Sequence, residues 1–416
     1  MSQILSPEQF AELAVERMVE PIVDGDLSLD RDKFALVVKS GTGQPLQMVR
    51  LSRFYETYAQ EPTLLDDILK RVAELARDQP NINDFRSVAP NLMPAIRDRA
   101  DVFFEWYAAR REYGDAAGDL RGLVFAEHFI IYPVIDTGAR LGSVPSQVMD
   151  SWGVDFESIM ELAIQNLVAA TPHTNFSSLV DTESNTSEMH QSTWCDHFDA
   201  VRTCYFDFPE LDVPGEKLYL MLDTSRLFIW GADSTVGTAY VLNELEKAAE
   251  ENESTDRRLP PYVFRRDVTG GLVIHHPHPE KEAALYNALR RHQIIHRSRI
   301  YERQRVFLSS DADIQEQEIY VGKFGAFQKP DGQIYTACTW TEGAEILLPK
   351  TDTVMFAKDK GEGTEFEMAA EVPWEKVAEI MGDQLVAVNF YPPRFRTVGW
   401  PSDAQLVQLK KISLLD

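Results

Sequence analysis

Residues 51–72 carry two amphipathic stripes on either side of one proline. Leu51, Phe54, Tyr55 and Tyr58 fall at i, i+3, i+4 and i+7, the spacing that places side chains on one helical face. Pro62 suits the first position of a new helix, where its missing N–H costs nothing. Leu65, Ile68, Leu69 and Val72 then repeat the spacing. Stripes of Leu, Phe, Tyr and Ile of this kind build a core. The preceding residues alternate differently. Residues 34–39 and 46–50 are strand-like, with Ser40-Gly41-Thr42-Gly43 as the turn between them. Helices and a hairpin side by side predict an α+β fold.

The rest of the chain extends that expectation. Ser6, Pro7 and Gln9 make a capping box for a first helix. Residues 123–135 read as a single Val-, Phe- and Ile-rich strand, in which Pro133 suggests an edge or a bulge. Asp155 is an N-cap for a helix to about residue 170. Residues 171–194 are Ser-, Thr- and Asn-rich and read as the most loop-like part. Strands are expected at 217–222 and 227–230, a helix at 236–250, a hairpin at 262–276 and one long helix from 279 to about 307. Beyond it lie five strand candidates, then helices at 374–381 and 402–412. A chain of 416 residues fits two or three domains. The division expected is 1–210, 211–307 and a strand-rich α+β module over 308–416. The sheets are expected to be mixed or antiparallel and flanked by helices.

Two segments resemble a known family. The helix pair at 51–72 is similar to the N-terminal signature of the YtpQ-like family, bacterial proteins that carry a domain of unknown function. Trp152-Gly153, followed by a helix with Ala163, Asn166 and Leu167, is similar to the same family's Trp-Gly turn and Ala-x-x-Asn-Leu pattern. Ser225-Arg226 match its Ser-Arg hairpin turn, although Leu227 stands where an acid often follows. The family usually crosses the segment matching residues 171–194 with strands and a short connection. The resemblance covers about residues 1–307. It implies an α+β fold and supplies no activity.

Charge and cysteines bound the partners. The chain has 66 acidic and 41 basic side chains, a net charge of −25. Such a field repels nucleic-acid phosphates and anionic lipid. The three cysteines form no CxxC, which points away from a disulfide framework and toward a reducing cytoplasm. No basic and apolar leader opens the sequence, and the longest apolar run is too short to span a bilayer. The second helix of the 51–72 pair carries Asp66, Asp67 and Glu74 against Lys70 and Arg71, which excludes a DNA-recognition helix. Gly41-x-Gly43 lacks a third glycine and a following helix, so it is not a dinucleotide loop. No Walker or GxSxG sequence occurs, and no cofactor is expected.

Candidate chemistry concentrates between 275 and 296. His275, His276, His278, His292 and His296 lie there, and His292 and His296 stand four apart on a helix, a spacing that lets two imidazoles share a metal. A metal-dependent hydrolase would use such a set, but His-Gln-Ile-Ile-His lacks the glutamate base. At about 100° per residue the same two fall with Leu285, Leu289, Ile300 and Phe307, a packing stripe. The helix is also basic, through Lys281, Arg290, Arg291, Arg297, Arg299, Arg303 and Arg305. That suits either a small-anion site or pairing with acidic surface of the same chain or a second copy. Arg226, beside Asp223 and Ser225, suits a carboxylate or phosphate, or the fixing of its own turn. Cys195 with His197 and His190 is a possible nucleophile cluster. No constellation outweighs its packing alternative. The expectation is a cytoplasmic, non-catalytic interaction or scaffold protein with a protein partner, self-association being compatible. A metal hydrolase or a small-anion sensor is the alternative.

Overall fold

A computed structural model describes residues 4–415 apart from 18–24, 32–33, 41–44, 78–81, 115–117, 120, 138–140, 182–186, 251–257, 330–331 and 361–365. Gly41-Thr42-Gly43 of the expected turn lie among those exceptions. The class is α+β, with mostly antiparallel sheets. The chain forms two compact units, residues 1–94 with 133–170, and residues 95–132 with 171–416.

In the first unit the helix Pro7–Arg17 starts at its capping box. Gln9 N–H donates to Ser6 Oγ at 3.2 Å, and Ser6 N–H donates to Gln9 Oε1 at 2.9 Å. A three-stranded antiparallel sheet, Gly25–Asp30, Ala35–Ser40 and Pro45–Arg50, leads into the helices Ser52–Gln60 and Leu65–Arg77. Their stripes meet as the sequence requires. Leu51, Tyr58, Leu69 and Val72 are buried with Phe10, Leu36 and Val49. Tyr58 stacks on Phe10, and its hydroxyl accepts the Leu5 N–H at 3.0 Å. A second core in this unit forms where helix Phe156–Ala169, capped by Asp155, packs Ile159 and Ala163 against Val88, Leu92 and Met149. Asn166 donates to the carbonyls of Ala89 and Leu92, which gives the Ala-x-x-Asn-Leu pattern a structural task.

The expected strand at 123–135 is a hairpin. Leu123–Phe125 pairs antiparallel with Phe129–Asp136. Between them Ala126 and Glu127 adopt left-handed backbone, φ 47° and 64°. Left-handed backbone costs a residue other than glycine about 1–2 kcal/mol. No glycine marks this turn, so the sequence conceals it. Phe125 and Phe129 each pack on Phe264, which holds the hairpin closed. Pro133 is not at a sheet edge. One side of its strand pairs with 123–125 up to Ile131 and with Leu141–Ser143 from Val134, so the proline sits in the gap between two partners.

The second unit contains a six-stranded antiparallel sheet in the spatial order 272–274, 263–266, 217–223, 226–231, 187–192, 176–181. Its last two strands come from the segment read as loop. Their Ser- and Thr-rich sequence hides the strand signal, while pairing to the apolar strand Arg226–Gly231 supplies the order. Helix Thr235–Glu250 covers this sheet through Val241 and Leu245. C-terminal to it lie two four-stranded sheets. One runs Gly325–Gln328, Ile334–Thr341, Thr353–Asp359, Phe366–Pro373, with the middle pair parallel. The other has the order 320–321, 346–349, 394–397, 385–388. The helices Trp374–Met381 and Asp403–Lys411 close a core around Trp340, Phe356 and Val377.

The long helix, Ala283–Ser309, contains neither glycine nor proline. At 1.5 Å per residue it runs about 40 Å. Its first turns bury Leu285 and Leu289 in the core of the six-stranded sheet. Farther along, Ile294 and Tyr301 pack with Phe324, and Leu308 packs with Ile319, Val321, Leu347 and Phe390. Arg394, fully buried, fastens its C-terminal half. The guanidinium donates to Gln304 Oε1 and to the carbonyls of Tyr301, Gly322 and Leu347, all at 2.8–3.0 Å. No carboxylate is among these acceptors, and burial lowers the Arg394 pKa to about 10. An Arg394→Met substitution keeps the bulk and removes every donor. Unsatisfied buried acceptors cost about 1–3 kcal/mol each, so urea unfolding is expected to show a loss of about 3 kcal/mol or more. A loss under about 1 kcal/mol would mean that the carbonyls find other donors.

Candidate binding site

The long helix, the helix Thr235–Glu250 and one end of the sheet 325–373 enclose a cleft of about 1960 Å³. Helix periodicity builds the first wall. Ala239, Leu242, Asn243 and Glu246 share one face, while Val241 and Leu245 of the same helix point into the sheet core. The long helix adds Asn287, Arg290 and Arg291. The sheet presents Gln328, Tyr335, Thr353 and Glu371, which lie at its matching strand ends. Gly325–Gln328 is an edge strand, paired on one side only among the described residues.

A smaller pocket of about 90 Å³ opens on the flank of the cleft and shares Tyr286, Arg290 and Gln293 with it. Its other lining residues come from the hairpin before the long helix: Tyr262, Val263, Ile274, His275, His276 and Pro277, with Leu289 below. The hairpin turn is fixed by Asp267, which accepts from the Thr269 hydroxyl and from the N–H groups of Thr269 and Gly271. The Thr269 hydroxyl most of all keeps that carboxyl below its usual range. The step into the helix is fixed by Glu282, whose two oxygens meet His275 Nε2 and the His278 N–H, each at 2.9 Å. Burial works to raise the Glu282 carboxyl, but these contacts outweigh it and its pKa is lowered. Arg290 is held across the cleft by Asp352, whose Oδ2 also accepts from the Thr336 N–H and hydroxyl.

The sequence-selected residues scatter. His276 is exposed and lines the pocket. His278 is exposed, and its ring accepts the N–H groups of Glu280 and Lys281. His292 is buried, 9% exposed, and burial with Arg291 and Arg258 nearby lowers its pKa to about 4. His296 points elsewhere, its Nε2 2.9 Å from Oδ2 of buried Asp98. Among the described residues no group of three or more His, Cys, Asp or Glu side chains is placed to share a metal ion. Arg226 donates from Nε to Asp223 Oδ2 at 2.5 Å, and Asp223 also accepts the Ser225 N–H, so the Arg226 side chain fixes its own turn. His197 meets the Ser225 hydroxyl at 3.1 Å, and His190 is buried in a central strand. Cys195 is exposed, with left-handed backbone at φ 54°. Its N–H donates to Asp199 as part of the loop around fully buried Arg202, which Asp196 clamps with both oxygens.

The basic helix is neutralised in part inside its own unit, at Arg290, Arg303 and Arg305. Arg303 pairs with Asp101 and lies over the Phe104 ring. Arg305 pairs with Glu302, and Arg297 donates to the Lys350 carbonyl. Desolvation, with Asp98 beside it, raises the Asp101 pKa in spite of Arg303. Near this pair His128 stacks on Tyr262 and its Nδ1 lies 2.8 Å from the Tyr391 hydroxyl. Burial pushes the His128 pKa down and the Tyr391 and Tyr262 pKa values up, so this cluster stays neutral around pH 7. Arg291 is exposed along the cleft with no hydrogen bond or ion pair among the described residues.

Sequence reasoning found His276 and the arginines of the long helix but missed Tyr262, Tyr286, Gln293 and Asp352. The last two of these are single polar residues whose role depends on a partner tens of positions away. Compared with protein-family models, curated proteins and solved structures, the chain matches none.

Two outcomes test this geometry. His292 stays neutral in the fold below pH 6.5 while the unfolded chain takes up a proton. Stability therefore falls as pH drops from 6.5 toward about 4 and is unaffected by this group above 6.5. At 1.36 kcal/mol per pKa unit the loss is on the order of 2–3 kcal/mol. Urea titrations of His292→Gln across that range are expected to show a correspondingly shallower decline. For the thiols, burial pushes Cys204 and Cys338 up to about 12. Ellman's reagent is expected to label one thiol rapidly in native protein, and Cys195→Ser to remove that phase; rapid labelling of two would contradict the geometry.

Proposed function

We propose that this is a non-catalytic, cytoplasmic binding protein that holds an extended segment of a polypeptide partner in the cleft between the long helix and the C-terminal sheet. The observation that carries this reading is the cleft itself. Small-molecule pockets occupy about 300–1,000 Å³, and this one is about 1960 Å³, with walls that mix cations, acids and amides. A mixed wall suits a peptide backbone and its varied side chains better than a polyanion, which the net charge of −25 already disfavours. The edge strand Gly325–Gln328 ends at the cleft, with unpaired backbone groups of the kind that peptides add to. Three free cysteines fit a reducing compartment. Among the described residues no helix is long and apolar enough to cross a membrane. The YtpQ-like resemblance adds no activity to this reading.

Panning a displayed random-peptide library on the intact protein tests it. Clones are expected whose binding is lost in Asn287→Trp, which places bulk at an exposed cleft position, with the melting temperature unchanged. Clones that bind wild type and variant equally would place peptide binding outside the cleft and sink the proposal.

A further inference from the structure

Resting on the reading of the cleft as a polypeptide site, we infer that its side pocket selects a glutamate side chain of the bound partner. None of the ten residues lining the pocket is acidic, in a chain where 66 of 416 residues are. The lining is graded. Val263 and Leu289 give it apolar wall, and Tyr262, Tyr286, His276 and Arg290, which also line it, carry two hydroxyls, a ring and a guanidinium able to donate. No protein group among the described residues hydrogen-bonds those two hydroxyls or that ring. Arg290 is already oriented. Asp352 engages Nη2, leaving Nε and Nη1 without a hydrogen bond among the described residues. Nε–H and the Nη1–H groups lie on different edges of the guanidinium, so either can give a carboxylate one charge-assisted hydrogen bond.

The size selects within anions. A water molecule needs about 10–15 Å³ of such space, so about 90 Å³ holds one side chain and is too small for a whole nucleotide. Glutamate brings two methylenes for the apolar wall and a carboxylate for the donors. Aspartate, one methylene shorter, would leave either the wall or the donors unfilled. The pocket shares Tyr286, Arg290 and Gln293 with the cleft, so a chain lying in the cleft can insert one side chain there. A longer run of acids is disfavoured, because Glu246 and Glu371 line the cleft beyond the pocket.

The test uses peptides selected on the full chain from a random dodecapeptide library, with affinities read by fluorescence anisotropy. The expected result is one glutamate at a fixed position. Its replacement by glutamine weakens binding about tenfold or more, and by aspartate less. His276→Ala and Arg290→Gln are each expected to shrink the Glu-to-Gln ratio toward one. His276 is exposed, so its variant keeps the test valid if Arg290→Gln fails to fold. Selected peptides that are sensitive to Asn287→Trp but carry no fixed glutamate, or are indifferent to Glu→Gln, overturn this inference and leave the cleft reading standing. A library that yields no cleft-dependent peptide overturns both.

Discussion

Arg394 is the constraint on which the second unit turns. It is a full positive charge sealed inside protein, satisfied by carbonyls and one amide oxygen rather than by a carboxylate. Burying a charge is expensive unless most of its donors are met. The four acceptors lie on three stretches of chain: the long helix (Tyr301 and Gln304), the loop before strand 325–328 (Gly322) and strand Ile346–Pro349 (Leu347). Gln304, also fully buried, extends the network by donating to the Tyr391 and Pro392 carbonyls. The network is satisfied only when the helix and both C-terminal segments are in register, so it specifies one docking of the helix where apolar packing alone would tolerate several.

The position of the cleft follows from that docking. The N-terminal third of the helix is committed to the six-stranded sheet through Leu285 and Leu289, and its C-terminal half to the Arg394 network. Along the first turns Tyr286, Asn287, Arg290 and Arg291 alternate with Leu285 and Leu289 and line the cleft. Arg290 and Asp352, both lining the cleft, are joined by an ion pair. Three arginines of the helix pair with acids of the same unit, at Asp101, Asp352 and Glu302. What is left for a ligand is the small set of donors around Arg290 and Arg291.

Local signals in the sequence were legible wherever one segment carried its whole explanation. The 51–72 stripes, the Ser6 capping box, the Asp155 cap and the uninterrupted long helix all have their causes within a few residues. Segments whose order comes from partners were misread. The Ser- and Thr-rich strands 176–181 and 187–192 are strands because Arg226–Gly231 pairs with them. The turn at Ala126-Glu127 has no glycine because aromatic packing on Phe264 outweighs its backbone strain. The histidines teach the same lesson. Five stand close in sequence, yet His275 turns to Glu282, His292 into the core and His296 to Asp98.

The sequence by itself determined the α+β class, the main helices, the acidic exterior and the three unpaired thiols, because periodicity, capping and composition act locally or in bulk. Only the tertiary structure decided where a ligand could sit. A pocket is made by residues that approach from separate elements, and Tyr262, Arg290 and Asp352 have no common pattern along the chain. Their convergence depends on how the long helix is fastened, and that depends on a single buried arginine whose acceptors lie 47 to 93 positions away.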